Sequence, residues 1–238
     1  MSRPPTTMRV HWLQHAEHED LGCIAPWLAA RGHEVSMTAL WADAAMPELA
    51  DFDALIVMGG PMNIYQHDAH PWLVPEKQMI RAAIDAGRPV LGICLGSQLV
   101  ADVMGGPVTR NPHKEIGWFD VELNPEGRRD DLFAGWPDRF CAFHWHGDTF
   151  AIPPGARNLM SSQACAHQGY VLGDRVVGLQ FHLEVTAADA RVWFEHGVPR
   201  PARYVQTPEF ILGELQRFAD NNRLMCELLE RWLAPKRS

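Results

Sequence analysis

The sequence predicts an α/β fold in three layers, α/β/α, with a mostly parallel central sheet, small antiparallel hairpins and helices at the C-terminal end. Three observations carry this. Apolar runs alternate with helical stretches as far as Met104, a spacing that implies parallel strands joined by right-handed crossovers. The run Asp53–Met58 is nearly all apolar, as a strand buried on both faces should be. Beyond Met104 the extended runs are short and closely spaced, the pattern of hairpins. With 238 residues, 47% of them hydrophobic, the chain suits one domain of ordinary size. Its core is expected over about residues 8–186 and a helical extension over about 187–234.

Taken in order, Met8–Leu13 is the first strand, and a helix follows over about Asp20–Arg31, ended by Gly32. Pro26 inside that stretch must kink the helix or mark a late start. Glu34–Leu40 is the second strand and Asp53–Met58 the third, ending in Gly59-Gly60-Pro61. A helix over about Pro75–Ala86 uses proline in its first turn. Pro89–Ile93 is the next strand, and Leu99–Met104 reads as helix. The hairpin region comprises Gly117–Leu123, Arg139–His144, Gly169–Leu172 and Val176–His182, the last returning to the core sheet. A helix over Ala187–His196 starts from Thr186 with Asp189 three residues on, a capping-box pattern. After a loop from Gly197 to Gln206, a last helix starts at Thr207-Pro208-Glu209 and repeats apolar residues every three to four positions.

Composition excludes several classes. The net charge is −8 with no Lys/Arg-rich run, so nucleic acid and anionic membrane are not expected partners. No apolar stretch approaches the roughly 18 residues of a spanning helix. Met1–Thr7 lacks the apolar core of a signal peptide. The five cysteines are widely spaced and form no C-x-x-C pair, so free thiols in a reducing cytoplasm are expected.

The chemistry centres on Gly92-Ile93-Cys94-Leu95-Gly96-Ser97-Gln98. Here a buried strand turns sharply into a helix with glycines two residues either side of Cys94, the pattern of a nucleophile elbow. A helix start offers backbone N–H groups and a positive dipole end that favour thiolate. A lone cysteine in a βα unit is more often just a packed apolar residue, so the rest of the chain must supply a base and an oxyanion hole. His182-Leu183-Glu184 follows the last strand. Residues two apart in extended chain share a side, so His182 can act as base with Glu184 orienting it. Gly59-Gly60 at a strand end can present N–H groups, and the Gly60 and Leu95 amides together would form an oxyanion hole. His144, His146 and Asp148 have a spacing that can ligate a metal, but no second cluster supplies further ligands and no metal is expected. His15, His18, His67 and His70 lie at loop-like positions and read as solvated. Neither a phosphate-binding loop nor a dinucleotide fingerprint occurs, and no cofactor is expected.

In their order and spacing, Gly59-Gly60-Pro61, Gly92–Gln98, His146-Gly147-Asp148 and Gln180–Glu184 resemble the class I (triad-type) glutamine amidotransferases over about residues 8–186. Within them they are most similar to the glutaminase domain of GMP synthase. The resemblance implies the family's flavodoxin-like fold and a hydrolase acting on the γ-amide of glutamine. Cys94 would be the nucleophile, His182 the general base and then acid, and Glu184 its orienting carboxylate. Gly59 and Gly60 would lie at the oxyanion turn, with Gly60 and Leu95 as donors. Gln98 would hold the amino-acid end of glutamine, and His146-Gly147-Asp148 would be a loop lining its pocket. Ser97 stands where relatives vary and should not touch the chemistry. The sequence runs only about fifty residues past Glu184, without the ATP-pyrophosphatase domain of GMP synthase. Two enzymatic readings follow: a glutaminase delivering ammonia to a synthetase partner, or a free-standing hydrolase of γ-glutamyl amides or peptides. A non-catalytic scaffold of the same fold is a third, and the intact Cys94, His182 and Glu184 argue against it. The C-terminal helices are expected to cover the chain's own core.

Overall fold

The computed structural model describes residues 7–42 and 44–235; the N-terminal stretch Met1–Thr6, part of the signal-peptide reading, lies outside them. The first half holds β1 (Arg9–Gln14), α1 (Ile24–Ala30), β2 (Glu34–Ala39), β3 (Ala54–Val57), α2 (Leu73–Asp85), β4 (Val90–Ile93) and α3 (Leu95–Val103). The middle holds β5 (Val108–Leu123), β6 (Arg139–Phe150), β7 (Ala156–Ser162), β8 (Gly169–Leu172) and β9 (Val176–Leu179). Three helices follow: α4 (Ala187–His196), α5 (Pro208–Gly213) and α6 (Leu215–Trp232).

All nine strands join one sheet, in the order β2-β1-β3-β4-β9-β8-β7-β5-β6. The side from β2 to β9 is parallel, and the side from β9 to β6 is antiparallel. The expected hairpins are therefore an extension of the central sheet rather than a separate appendage. The alternation of β3 shows why helices cover both faces. Ala54 and Ile56 pack with α1 and with Leu224, Met225, Leu228, Leu229 and Trp232 of α6. Leu55 and Val57 pack with α2 and α3 on the other face. Each such side chain, fully buried, contributes about 1.5–3 kcal/mol relative to exposure. The last helix thus packs on the chain's own core.

Several elements differ from expectation. Helix α1 starts at Ile24 rather than near Asp20, which puts Pro26 in its first turn, where the missing N–H loses no intrahelical bond. Helix α2 begins two residues before Pro75 for the same reason. Strand β5 runs back to Val108 and is hidden in the sequence by Asn111-Pro112-His113-Lys114, where its register with β6 shifts. Strand β7 was not expected at all; its residues are mostly half-buried and polar. Strand β6 continues through Phe150, so His146-Gly147-Asp148 is strand, not loop. The final helix is two, broken at Glu214.

Candidate active site

Because β1, β3, β4 and β9 are parallel neighbours, their carboxyl ends share one edge of the sheet, the edge where such sheets bind ligands. His15 follows β1, Gly59 and Gly60 follow β3, Cys94 ends β4, and His182 and Glu184 follow β9. The fold brings together residues spread over more than half of the sequence.

Cys94 has φ +51 and ψ −108, and among the described residues it alone has positive φ without being glycine. Such backbone is strained by about 1–3 kcal/mol and persists only where its surroundings hold it. Here the Cys94 N–H donates to Leu179 O at 2.7 Å, and Cys94 O accepts from Gln98 N at 3.1 Å and from Ser97 Oγ at 2.6 Å. The Tyr170 hydroxyl donates to Ser97 O at 2.7 Å. Ser97, given no role by the sequence, braces the elbow from beneath.

The flanking glycines are required by contact. A Cβ on Gly96 would lie 1.9 Å from Val57 O, and one on Gly92 would lie 2.6 Å from the Gly96 carbonyl carbon. Gly96→Ala must push α3 off β3. It should destabilise the chain by about 1–3 kcal/mol or more, measurable as a drop in thermal midpoint.

His182 is buried, with Nδ1 2.6 Å from Glu184 Oε1. Its other ring nitrogen faces Cys94 within hydrogen-bonding reach. Burial alone would lower the His182 pKa, but attraction to the Glu184 carboxylate and to Cys94 outweighs it and holds the value well above the usual range. The Trp193 ring stands edge-on to the imidazole with centroids 5.0 Å apart, and the His182 N–H donates to Phe143 O at 2.7 Å. The Cys94 thiol lies 3.6 Å from Trp145 O.

Leu95 is the first residue of α3, so helix geometry leaves its N–H without an intrahelical acceptor. Gly60 packs against it: a Cβ there would lie 2.9 Å from Leu95 Cδ2 and 2.8 Å from His15 Cβ. His15 is buried, not solvated as expected. Its Nδ1 lies 2.9 Å from Gly59 O and its Nε2 2.7 Å from Glu76 Oε1. Burial alone would lower its pKa, but Glu76 and the Gly59 carbonyl raise it. An imidazolium donating from both nitrogens fits this pair of acceptors, and it fixes the oxyanion turn from behind.

Gln98 is buried, its Nε2 donating to Asp148 O at 3.3 Å and to Gln180 Oε1 at 3.1 Å. It ties β6 to the elbow rather than standing free. His146 Nδ1 lies 3.0 Å from the same Asp148 carbonyl, and its Nε2 3.0 Å from Glu115 Oε2. Asp148 accepts from the Tyr65 hydroxyl at 3.1 Å. Gly147 sits between them, against the Lys114 side chain.

Glu115 enters from β5 and was missed by the sequence. With His144 and His146 it forms, among the described residues, the group whose donor atoms lie close enough to hold a cation, within 4.8 Å of one another. Asp148 does not join it. Glu115 also accepts from Ser162 Oγ at 2.7 Å and Gln168 Nε2 at 2.6 Å. Burial would raise the Glu115 pKa, but His146, His144 and Ser162 pull it down to about 2; burial lowers that of His144 to about 4. The arrangement is a hydrogen-bonded clamp on β6 beneath the site.

A family model described as glutamine amidotransferase class-I matches residues 23–196. The chain is 34% identical over 230 residues to the glutamine amidotransferase-like protein YfeJ of Salmonella typhimurium, covering 95% of this chain and 96% of that one. To one of the separate chains of the glutamine-hydrolysing GMP synthase of Sulfurisphaera tokodaii it is 35% identical over 143 residues, 58% of this chain and 70% of that one. A crystal structure of a glutamine amidotransferase from Thermotoga maritima matches with a TM-score of 0.86 at 32% identity, covering 97% of this chain and all of that one. No helix among the described residues is long and apolar enough to cross a membrane. Matched by the family model over most of its length, the chain belongs to the class I glutamine amidotransferase family.

Proposed function

We propose that this protein hydrolyses the γ-amide of glutamine, or of a related γ-glutamyl compound, through a Cys94 thioester. The observation that carries this is the strained Cys94 elbow beside an imidazole held 2.6 Å from a carboxylate. His182 takes the thiol proton, and the sulfur attacks the γ-carbonyl carbon. The Gly60 and Leu95 amides receive the developing oxyanion. His182 returns its proton to the leaving nitrogen, freeing ammonia and leaving a glutamyl thioester. Water, deprotonated by His182, then releases glutamate. Gln98 and the His146-Gly147-Asp148 strand wall the glutamine pocket. The core and the C-terminal helices, about residues 8–234, act as one unit, a reading supported by the shared packing of α6.

The ammonia passes to a synthetase partner, a reading supported by the Sulfurisphaera relative, which is itself one subunit of a synthase. A panel of γ-glutamyl compounds assayed on the protein alone tests this. Glutamine turnover that is slow alone and raised by a synthetase supports it. Efficient turnover of γ-glutamyl peptides over glutamine would instead select the free-standing hydrolase. His182→Asn should lower the rate about 10²–10⁴-fold, the usual contribution of a positioned acid–base. Glu184→Gln should cost less, since the carboxylate orients rather than reacts.

A further inference from the structure

Glu19 stands in the reaction centre and has no part in the steps above. It precedes the stretch that matches the family model and is only 9% exposed. Its carboxylate reaches over the Cα of Gly59. A Cβ placed there would lie 2.9 Å from Glu19 Oε2, 3.1 Å from His182 Cε1 and 3.7 Å from Cys94 Cβ. The carboxylate and the imidazole edge therefore face each other across the small space that Gly59 leaves open.

The loop that carries Glu19 is fixed to the same imidazole and carboxylate. The Glu19 N–H donates to Ala16 O at 3.1 Å, and its carbonyl accepts from Gln14 Nε2 at 3.2 Å. Gly22, at φ +48, lies so close to the Glu184 backbone that a Cβ would sit 2.2 Å from Glu184 O. The Cys23 N–H donates to that oxygen at 2.9 Å. Trp193, edge-on to His182, donates from Nε1 to His18 O at 3.0 Å. Among the described residues no donor bonds the Glu19 carboxylate itself.

Building on the thioester reading, we propose that Glu19 is a second carboxylate for His182. As a positioning residue it faces the Cε1 edge that Glu184 does not reach, and favours the imidazolium formed when Cys94 gives its proton to His182. The proton moves from Cys94 Sγ to His182 Nε2, and no other bond changes in that step. An anion near the imidazolium stabilises it most where water is excluded.

The groups facing Glu19 are His182, His15 and Glu184, with Cys94 across the Gly59 space and Glu76 paired to His15 behind. Burial raises the Glu19 pKa, the two imidazoles draw it back, and Glu184 raises it again, to about 7. The carboxylate is therefore charged above neutrality and loses its charge, and its support of the imidazolium, as pH falls through about 7.

The test needs no substrate: the rate at which iodoacetamide alkylates Cys94 in the full chain, followed by peptide mass spectrometry from acid to mildly alkaline pH. In the unmodified protein the rate should rise through a step near pH 7. Glu19→Gln should lack that step and react about tenfold more slowly above it, the equivalent of one pKa unit. Glu19→Asp should keep the step, and it carries the test if the glutamine variant melts early. Superimposable profiles for all three proteins would overturn the proposal. A step present without any γ-glutamyl turnover upholds the role of Glu19 and overturns the substrate reading. A step that survives His182→Asn would show that Glu19 does not act through the imidazole.

Discussion

Cys94→Ala should abolish ammonia release from γ-glutamyl amides while leaving the fold in place. Removing the nucleophile from a catalytic unit that works as a whole costs about 10⁵–10⁶-fold in rate, so the variant falls to background. The expected stability is close to that of the unmodified chain, because alanine keeps the Cβ and with it the positive-φ strain at this position. Cys94→Gly makes a useful companion: equally inactive, and more stable than the alanine variant by about 1–2 kcal/mol as the strain is relieved. Residual turnover near the original rate in either variant would remove the thioester mechanism. A glutamine-like chloroketone should label Cys94 alone. Burial pushes the thiols of Cys23, Cys141, Cys165 and Cys226 up, which leaves them protonated and slow. Mass spectrometry of the labelled peptides reads this directly, and equal labelling of all five cysteines would sink it.

His15→Leu should be the most destabilising single change near the site. His15 and Glu76 are fully buried, side chain against side chain at 2.7 Å. Breaking a buried pair by removing one partner costs about 3–5 kcal/mol, since the other charge stays buried and uncompensated. Replacing both, as His15→Leu with Glu76→Leu, should recover most of that loss, and chemical denaturation of the singles and the double measures the coupling. The pH dependence has a definite sign. The folded-state pKa of His15 is raised above its ordinary value, so its contribution is full below that ordinary value, about 6.5. It is lost as pH rises through the folded value. A stability profile of the unmodified chain that loses nothing on the alkaline side relative to His15→Leu would contradict the ion pair.

The parallel half of the sheet was legible because its strands are continuous apolar runs. The elbow was legible because two glycines at fixed spacing mark a turn only small residues can make. Strand β7 and the start of β5 escaped because their residues are half-buried and polar, and tertiary pairing decides such segments. His15 and Glu19 escaped for a different reason. Charged and polar residues after a strand read as solvated loop, and only the placement of the β1 end beside those of β3 and β9 buries them. The rule that sites lie at strand carboxyl ends, applied to β1 as it was to β3 and β4, would have singled them out. Glu115 carries no local signal: its partners Ser162 and Gln168 come from β7 and the turn before β8.

Strand β9 is the last strand to be synthesised, yet it lies in the middle of the sheet, between β4 and β8. On a growing chain, β1 to β4 can pair with one another, and so can β5 to β8, before Val176 emerges. Neither half is closed until β9 zips them together, a long-range step of the kind that slows folding. The same strand carries the imidazole to the thiol. A chain interrupted before Val176 has a cysteine elbow without its base and two half-sheets with open edges, so the reactive pair comes into being only as the sheet is completed.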